Sequence, residues 1–418
     1  MIPFLRKQFN ENFTPEKYQA FLRRVDDLSG AHVSFRLSET PCFFPKELIE
    51  RMARDGKELI RELVESREYR AKSDEAVPAE FKVPNEPDHP MFVQVDFGLV
   101  RDARGELQPK LVELQAFPSL YAYQGPLAEA YLDVYGMRAS GERASGFGFR
   151  ASADPTPPSA SGELKYFLSG LEKNSYSELL RRAIVGSCDP ENVILMEIDP
   201  LHQKTLPDFL LTEKMLGVRT VDIIDIKKEG SRLYYERNGK RVPIQRIYNR
   251  TIVDELERKG VKFGFDWRDE LDVEWAGHPN WYFRISKFSI PYLKHESVPK
   301  TWFLDRLPEI PRDLENYALK PLYSFAGLGV VIAPTKEDIA AIPAERRPYY
   351  ILQERLHFEP VIETPFGRTK AEVRVMYVWL EELTAVLTIV RMGRGLMMGV
   401  DHNKDMAWVG ASAACYLE

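Results

Sequence analysis

Hydrophobic residues change their spacing along the chain, and the first pattern is helical. Apolar residues recur three and four positions apart after Thr14, and again over about 46–66, where Gly56 is expected to interrupt the helix. Thr14 is followed by proline, a combination typical of a helix start. The pattern therefore predicts an N-terminal helical segment over residues 1–84.

The spacing changes to alternation after a proline-rich stretch. In residues 91–100 every second side chain is apolar, which predicts a strand with one buried face. A turn at 102–105 leads into a second strand at 110–115, so residues 85–138 are predicted to contain a β-hairpin. The Gly, Ser, Ala and Pro content of 139–162 predicts a flexible loop.

An α/β pattern follows over residues 163–285. Apolar runs at 193–196 and 221–226 flank a helical stretch at 208–216. A strand, a helix and a strand at this spacing predict a small parallel sheet.

Residues 286–418 are predicted to form a mostly antiparallel sheet with helical cover. One short helix is predicted near 336–341. The predicted strands are at 317–320, 330–332, 350–353, 371–380 and 383–390.

Composition limits the classes of protein. At 418 residues the chain should contain two or three domains, since a domain is roughly 100–200 residues long. A net charge of −6 does not suggest a nucleic-acid binder, and no apolar run suggests a membrane span. Three widely spaced cysteines suggest neither a disulfide framework nor a zinc ribbon. A cytoplasmic protein is expected, and the sequence leaves its oligomeric state open.

The hairpin carries a candidate metal site. If its turn is centred between Arg104 and Gly105, Asp96 lies opposite Glu113, and Gln115 shares the face of Glu113. Facing carboxylates repel each other across a strand pair. A divalent cation with oxygen ligands would remove the repulsion. The alternative is a solvated outer face on which acidic residues need no ligand.

A second candidate feature is a lysine followed by a loop of small residues. Lys320 ends a predicted strand, and Ser324, Gly327 and Gly329 lie in the loop before the next strand. Backbone N–H groups in such a loop can hold phosphate oxygens that the lysine neutralises. The loop lacks the GK[ST] ending of a Walker A motif. The alternative is an ordinary β-turn with two glycines.

Two further segments suit a nucleotide. Lys287, upstream of Lys320, is a second candidate cation for phosphates. The apolar strand that ends in Gln353 and Glu354 is suited to reading an adenine edge.

In order and spacing, these pieces resemble the ATP-grasp superfamily, and more narrowly the synthetase domain of glutathionylspermidine synthase. The resemblance lies in the strand with Asp96, the segment Lys110-Leu111-Val112-Glu113-Leu114-Gln115 before a proline, Ser286-Lys287, and Lys320-Pro321 through Gly329.

The resemblance implies a circularly permuted ATP-grasp fold, with residues 163–285 as a parallel-sheet pre-ATP-grasp domain and 286–418 as the nucleotide-binding domain. It implies ATP and Mg²⁺ as cofactors. The implied metal ligands are Asp96, Glu113 and Gln115, and the implied nucleotide contacts are Lys287, Lys320, Ser324, Gly327, Gly329, Gln353 and Glu354.

The chain departs from the family pattern at two positions. Gln115 replaces the family's asparagine, and Gln94 replaces an arginine that faces the transferring phosphate. Arg374 and Arg391 are candidates to supply that missing positive charge as catalytic residues. For Arg374 the alternative is a salt bridge within the strand.

Two further polar segments are candidates for function. Asn249 and Arg250 lie between apolar runs and suit a carboxylate substrate, or else a bridge between domains. The segment 401–405 is rich in oxygen ligands and suits a turn, with a second metal or substrate site as the alternative.

The leading hypothesis is an ATP-dependent carboxylate–amine (or thiol) ligase that forms an amide through an acyl phosphate with Mg²⁺. Its partners would be small-molecule carboxylate and amine substrates. The alternatives are a kinase that uses the same site, and a non-catalytic nucleotide-binding protein.

Overall fold

The computed structural model describes residues 1–137, 162–324 and 327–418 as a mixed α/β protein with several sheets. The predicted flexible loop at 139–162 lies outside the described residues except for Gly162. Among the described residues, no helix is long and apolar enough to cross a membrane.

Within these ranges the α-helices are α1 (Pro3–Asn12), α2 (Pro15–Ser29), α3 (Lys46–Val64), α4 (Arg67–Ser73), α5 (Gln124–Val134), α6 (Lys173–Ile184), α7 (Leu206–Leu216), α8 (Val253–Lys259), α9 (Pro279–Arg284) and α10 (Lys336–Ala340). The strands are β1 (Cys42–Phe43), β2 (Phe92–Arg101), β3 (Leu107–Gln115), β4 (Leu164–Lys165), β5 (Val193–Glu197), β6 (Arg219–Asp222), β7 (Lys227–Glu229), β8 (Arg232–Arg237), β9 (Lys240–Ile244), β10 (Arg246–Asn249), β11 (Glu274–Ala276), β12 (Thr301–Phe303), β13 (Tyr317–Pro321), β14 (Val331–Ile332), β15 (Tyr350–Glu354), β16 (Ile362–Thr364), β17 (Gly367–Trp379), β18 (Leu383–Gly393) and β19 (Gly410–Leu417).

The central sheet joins both ends of the chain. Its strands follow the order β1-β19-β18-β17-β2-β3, with β16 on β17 and β4 on β19. The predicted hairpin of β2 and β3 is therefore one edge of a larger sheet, because β2 pairs antiparallel with β17.

The helical segment predicted over 1–84 packs on this central sheet. Thr14 caps α2 as predicted, since its hydroxyl accepts the Lys17 N–H at 3.3 Å. The prediction that Gly56 interrupts the next helix is wrong, because α3 runs continuously from Lys46 to Val64. Instead, the Tyr377 hydroxyl lies against the helix there, and a Cβ at position 56 would be 2.0 Å from it. Glycine is needed at position 56 because it lets the Tyr377 hydroxyl approach the helix closely.

A parallel sheet of order β11-β10-β5-β6 lies within the predicted α/β segment. The predicted strand at 193–196 is β5, and the helix predicted at 208–216 is α7. The strand predicted at 221–226 ends earlier, at Asp222, whose carboxylate accepts the Ile224 N–H at 3.2 Å and begins a 3-10 turn. A small antiparallel sheet, β7-β8-β9, extends from this region.

The strands predicted in 286–418 form two sheets instead of one. The first, of order β12-β15-β13-β14, is antiparallel and separate from the central sheet. The second group, β16 to β19, joins the central sheet because β17 pairs with β2. Between the two groups the chain crosses β2 at Gly98, where the Phe358 ring fills the space of a side chain.

Candidate nucleotide and metal site

The two carboxylates of the hairpin face each other, as the sequence predicts. Asp96 is paired with Glu113, and Gln94 with Gln115, in the register of β2 and β3. The register shifts after Asp96, so that Phe97 pairs with Leu111. This bulge leaves Val112 outside the ladder, and a bulge can redirect the groups around it.

Asp96 is held by two arginines from neighbouring strands. Arg374 binds it with both ends of its fork, Nε to Oδ1 at 2.5 Å and Nη2 to Oδ2 at 2.7 Å, and Arg391 also donates to Oδ2. Burial opposes the charge of Asp96, but the two guanidinium groups outweigh it and hold the pKa of Asp96 below its ordinary value. The repulsion between Asp96 and Glu113 is therefore relieved by protein cations.

Glu372 completes this group, and the sequence hypothesis did not assign it to the site. It forms an ion pair with Arg391, its cross-strand partner on β18. Burial raises the pKa of Glu372, and Arg391 offsets only part of that rise. Its position two residues before Arg374, on the same face of β17, is the signal that could have identified it. We call Asp96, Glu372, Arg374 and Arg391 the arginine row.

Gln94 connects the arginine row to the hairpin edge. Its Oε1 accepts from Arg374 Nη1 at 2.9 Å and from Gln115 Nε2 at 3.0 Å, and its Nε2 donates to Ser119 O at 2.7 Å. Arg374 thus places a positive charge beside position 94, where the family pattern has an arginine.

The two predicted lysines lie next to Glu113. Lys287 Nζ is 3.1 Å from Glu113 Oε1 and donates to Ser324 O at 2.6 Å. Lys320 Nζ donates to Gln353 Oε1 and, at 3.3 Å, to the carbonyl of Val112 at the bulge. Burial lowers the pKa of Lys320 to about 8.

Polar atoms around these lysines lack protein partners among the described residues. Ser324 Oγ and Gln353 Nε2 are buried without a hydrogen bond, as is Arg391 Nε in the arginine row. Buried polar atoms are normally satisfied, so an unpaired set beside two ammonium groups is suited to an anionic ligand. We call Lys287, Lys320, Ser324 and Gln353 the lysine half.

The glycines after Ser324 adopt conformations that favour glycine. Gly327 and Gly329 have φ of +76° and +72°. A Cβ on Gly327 would lie 2.7 Å from Met397 Cε, so this loop touches the segment after β18.

The predicted adenine-reading residues are part of a central strand. Gln353 pairs with Ala318 and Thr301 on either side of β15. Glu354 N–H donates to Lys300 O at 2.8 Å, and Arg355 N–H donates to Asn316 O at 2.7 Å. Backbone donors for a base edge would therefore come from the chain after Arg355.

Asn249 and Arg250 lie at the carboxyl end of β10. Arg250 donates to Pro118 O and is 3.8 Å from Asp208, and its guanidinium lies over the Phe117 ring at 5.3 Å. These contacts favour the bridging interpretation, since they join the parallel sheet to the chain that leaves the hairpin. Asn249 Oδ1 accepts the Thr251 N–H at 3.1 Å.

The segment 401–405 forms the predicted turn, organised by buried Asn403. Its Oδ1 accepts the N–H groups of Arg394 and Gly395, each at 3.1 Å. Its Nδ2 donates to Met397 O at 2.8 Å and to Gly399 O at 3.2 Å.

The oxygen donors fit Mg²⁺ only in part. Both Asp96 oxygens accept from guanidinium groups, whereas Glu113 and Gln115 are half-buried. Across the described part of the chain, no group of three or more His, Cys, Asp or Glu side chains could hold a metal ion. Mg²⁺ is often bound through one or two carboxylates together with substrate phosphates, so Glu113 and Gln115 are the residues that would hold it.

The sequence matches no protein-family model and no curated protein. The structure is similar to that of a glutathione synthetase-like effector (GSS30) from Globodera pallida, solved in its apo form. The TM-score is 0.55 at 12% sequence identity, over 96% of this chain and 98% of that chain. At this identity the likeness concerns the fold alone, and the chain has a glutathione synthetase-like, ATP-grasp-like fold.

Proposed function

We propose that the protein is an ATP-dependent carboxylate–amine ligase. The observation that carries the proposal is the lysine half. Two ammonium groups converge beside Glu113, and buried polar atoms around them have no partner in the described protein. A polyphosphate would satisfy these donors and neutralise the charge of the lysines.

The proposed nucleotide lies between the central sheet and the β12-β15-β13-β14 sheet. Lys287 and Lys320 bind its phosphates, and the loop with Ser324, Gly327 and Gly329 covers them. The base contacts the chain beyond Arg355, because Gln353 and Glu354 hydrogen bond within their sheet. This changes the adenine contacts expected from the sequence.

The proposed metal ligands are Glu113 and Gln115, completed by phosphate oxygens. Asp96 instead holds Arg374 and Arg391, since it accepts from both. When bound, Mg²⁺ would neutralise phosphate charge and orient the phosphates for transfer. Arg374 and Arg391, although paired with Asp96 and Glu372, would supply the positive charge that the transferring phosphate needs.

In the proposed reaction, a substrate carboxylate oxygen attacks the γ-phosphorus, and the bond to the ADP oxygen breaks. The amine nitrogen then attacks the carbonyl carbon of the acyl phosphate, phosphate leaves, and the nitrogen releases its proton to solvent. Arg374 and Arg391 stabilise the charge that develops on the phosphoryl and acyl oxygens. The protein contributes positioning and charge, as is typical of phosphoryl transfer.

We also propose a specific arrangement of the domains. A circularly permuted arrangement, as in glutathionylspermidine synthase, is supported by the chain order, in which Glu113 precedes Lys287 and Lys320. The β11-β10-β5-β6 sheet would be the pre-ATP-grasp domain. Asn249 and Arg250 would support the substrate side of the cleft through Pro118. A cytoplasmic location is supported by three cysteines without a disulfide.

A second candidate function is nucleotide binding without turnover. It is favoured by Asp96, whose oxygens are taken by arginines although the family pattern uses this position for the metal.

The test is ADP and phosphate release with Mg-ATP and a mixed panel of amino acids, peptides and polyamines, followed by mass spectrometry of the products. The ligase proposal expects an amide product and equal amounts of ADP and phosphate. Lys287→Met is the matched inactive control. A phosphorylated product would instead support a kinase, and nucleotide binding without ADP release would support the second candidate.

A further inference from the structure

A cavity of about 360 Å³ lies away from the lysines, at the amino-terminal ends of β10 and β11. We call it the tryptophan cavity. Its lining includes His89, Met91, Arg246, Glu274, Trp275 and Trp379. Its volume is in the range of small-molecule sites.

The tryptophan cavity is separate from the proposed nucleotide site. Trp379 is five residues beyond Arg374 on β17, which corresponds to about 17 Å along a strand. Arg246 and Glu274 begin β10 and β11, whereas Arg250 follows the opposite end of β10. Ligands of parallel sheets usually bind at the carboxyl ends, so this cavity is not the usual substrate position.

Aromatic faces form much of the cavity wall. The His89 ring stacks on Trp379 with centroids 4.3 Å apart and an interplanar angle of 13°. Trp275, which is half-buried on the edge strand β11, packs against Trp267 at 5.8 Å. Tryptophan has the aromatic face that most strongly attracts a cation.

The cationic side chain among these six residues, Arg246, is held by protein acceptors. Arg246 donates from Nε to Ile184 O at 3.0 Å and from Nη2 to Ala183 O at 2.9 Å. Its Nη1 donates to one oxygen of Glu274, whose side chain is still 58% exposed. The positive charge of Arg246 is thus used by protein acceptors, while the Glu274 carboxylate remains accessible.

The buried imidazole at the cavity is uncharged. His278 Nδ1 accepts the Asn280 N–H at 3.3 Å, so the proton is on Nε2, which lies 3.0 Å from Pro84 O. Burial lowers the pKa of His278, in agreement with this neutral form. Among the described residues that line the cavity, aromatic faces and an accessible carboxylate, with Arg246 paired and His278 neutral, favour a cationic ligand over an anionic one.

We propose that the tryptophan cavity binds a small organic cation, an alkylated ammonium group with an apolar body. The charge lies against the indole faces and the Glu274 carboxylate, and the apolar body contacts Met91. Such a ligand would connect the loop before β2, the parallel sheet and the end of β17. It therefore raises the thermal stability of the whole protein when bound.

The test compares choline with its neutral carbon isostere 3,3-dimethylbutan-1-ol by calorimetric titration of the full chain. Choline binds, and the isostere binds about tenfold more weakly because it lacks the charge. Trp379→Leu lowers choline affinity by about tenfold, since it removes an aromatic face but keeps an apolar side chain. Trp302→Leu, on the separate β12 strand, leaves the affinity unchanged.

Glu274→Gln provides a second variant at an exposed side chain, in case Trp379→Leu disturbs folding. It lowers choline affinity by about threefold and leaves the isostere unaffected. The proposal is overturned if choline does not bind, if the neutral isostere binds equally well, or if both Glu274→Gln and Trp379→Leu bind choline like the unmodified protein. None of these outcomes depends on ligase activity.

Discussion

In the arginine row, both carboxylates, Asp96 and Glu372, meet a guanidinium group, and Asp96 accepts from two of them. In the lysine half, Lys287 and Lys320 are also placed by hydrogen bonds, but Ser324 Oγ and Gln353 Nε2 beside them have no partner in the described protein. The two groups adjoin each other at Glu113.

This difference separates stability from ligand binding. A charge pair that is satisfied inside the protein fixes geometry, and it is strongly destabilising to break. Buried polar atoms without partners do not stabilise the fold, and they are available to a ligand. Mutation of Asp96 should therefore act mainly on stability, and mutation of the lysine half mainly on nucleotide affinity.

The largest effect is expected from Asp96→Asn. The change leaves buried Arg374 without its carboxylate partner, so the free energy of unfolding should fall by about 3 kcal/mol. Urea denaturation measures this fall in the free energy of unfolding. Asp88→Asn is the matched control, because Asp88 pairs with Arg70 while its side chain is 95% exposed. That variant should change stability by no more than about 0.5 kcal/mol. Equal stability of the two variants would contradict the role given to Asp96.

The second effect is expected from Lys320→Met. Removing the ammonium group should weaken binding of a non-hydrolysable ATP analogue with Mg²⁺ by about thirtyfold, because charge-assisted hydrogen bonds to phosphate are lost. Calorimetric titration gives the affinity, and urea denaturation shows whether the fold is kept. Lys300→Met removes an exposed lysine near the same sheet and should leave affinity unchanged. If both variants bind alike, Lys320 does not contact the nucleotide.

The hairpin shows which contacts of Asp96 the sequence predicts. Asp96 faces Glu113 as expected, but the strands beside the turn pair one residue away from the expected register, and the bulge after Asp96 restores it. The partners of Asp96 are Arg374 and Arg391, and their approach depends on β17 pairing with β2 across most of the chain. Spacing could identify these arginines as candidates, but it could not show that they neutralise Asp96.

Two further positions show the same limit of local patterns. Gly56 looks like a helix interruption in one dimension, and only the Tyr377 hydroxyl from a distant strand explains it. Gln353 and Glu354 resemble an exposed strand end, but Thr301 on β12 pairs with Gln353 from the other side. Local patterns predict elements well, whereas tertiary contacts decide which backbone and side-chain groups remain available.

A third prediction concerns pH, because Lys320 has a pKa of about 8. The charged lysine binds phosphate, so affinity for the ATP analogue should fall by roughly tenfold from about pH 7.5 to about pH 9. Burial lowers this pKa below that of the unfolded chain. Deprotonation above pH 8 therefore favours folding, and the stability contribution of Lys320 rises over the range in which affinity falls.

Lys320→Arg is the control for the pH prediction. Arginine stays charged throughout this range, so the pH dependence of nucleotide affinity should become flatter. Glu113, Lys287, Glu372 and Asp96 surround the ammonium group and contribute to its field in both proteins. A profile that is equally steep in both would assign the titration to another group.

The smallest effect is expected from a comparison of two serines that are equally buried. Ser286 and Ser324 are each 9% exposed, but the Ser286 hydroxyl donates to Phe283 O at 3.0 Å, whereas Ser324 Oγ has no partner in the described protein. Ser286→Ala should therefore lower the free energy of unfolding by about 1 kcal/mol, and Ser324→Ala should not lower it, because it removes a buried hydroxyl that has no partner. The order should reverse in nucleotide titrations, where only Ser324→Ala weakens binding, by about threefold, because the hydroxyl gains its partner from the phosphates. Equal effects of the two serines in both measurements would mean that the unpaired atoms of the lysine half do not serve a ligand.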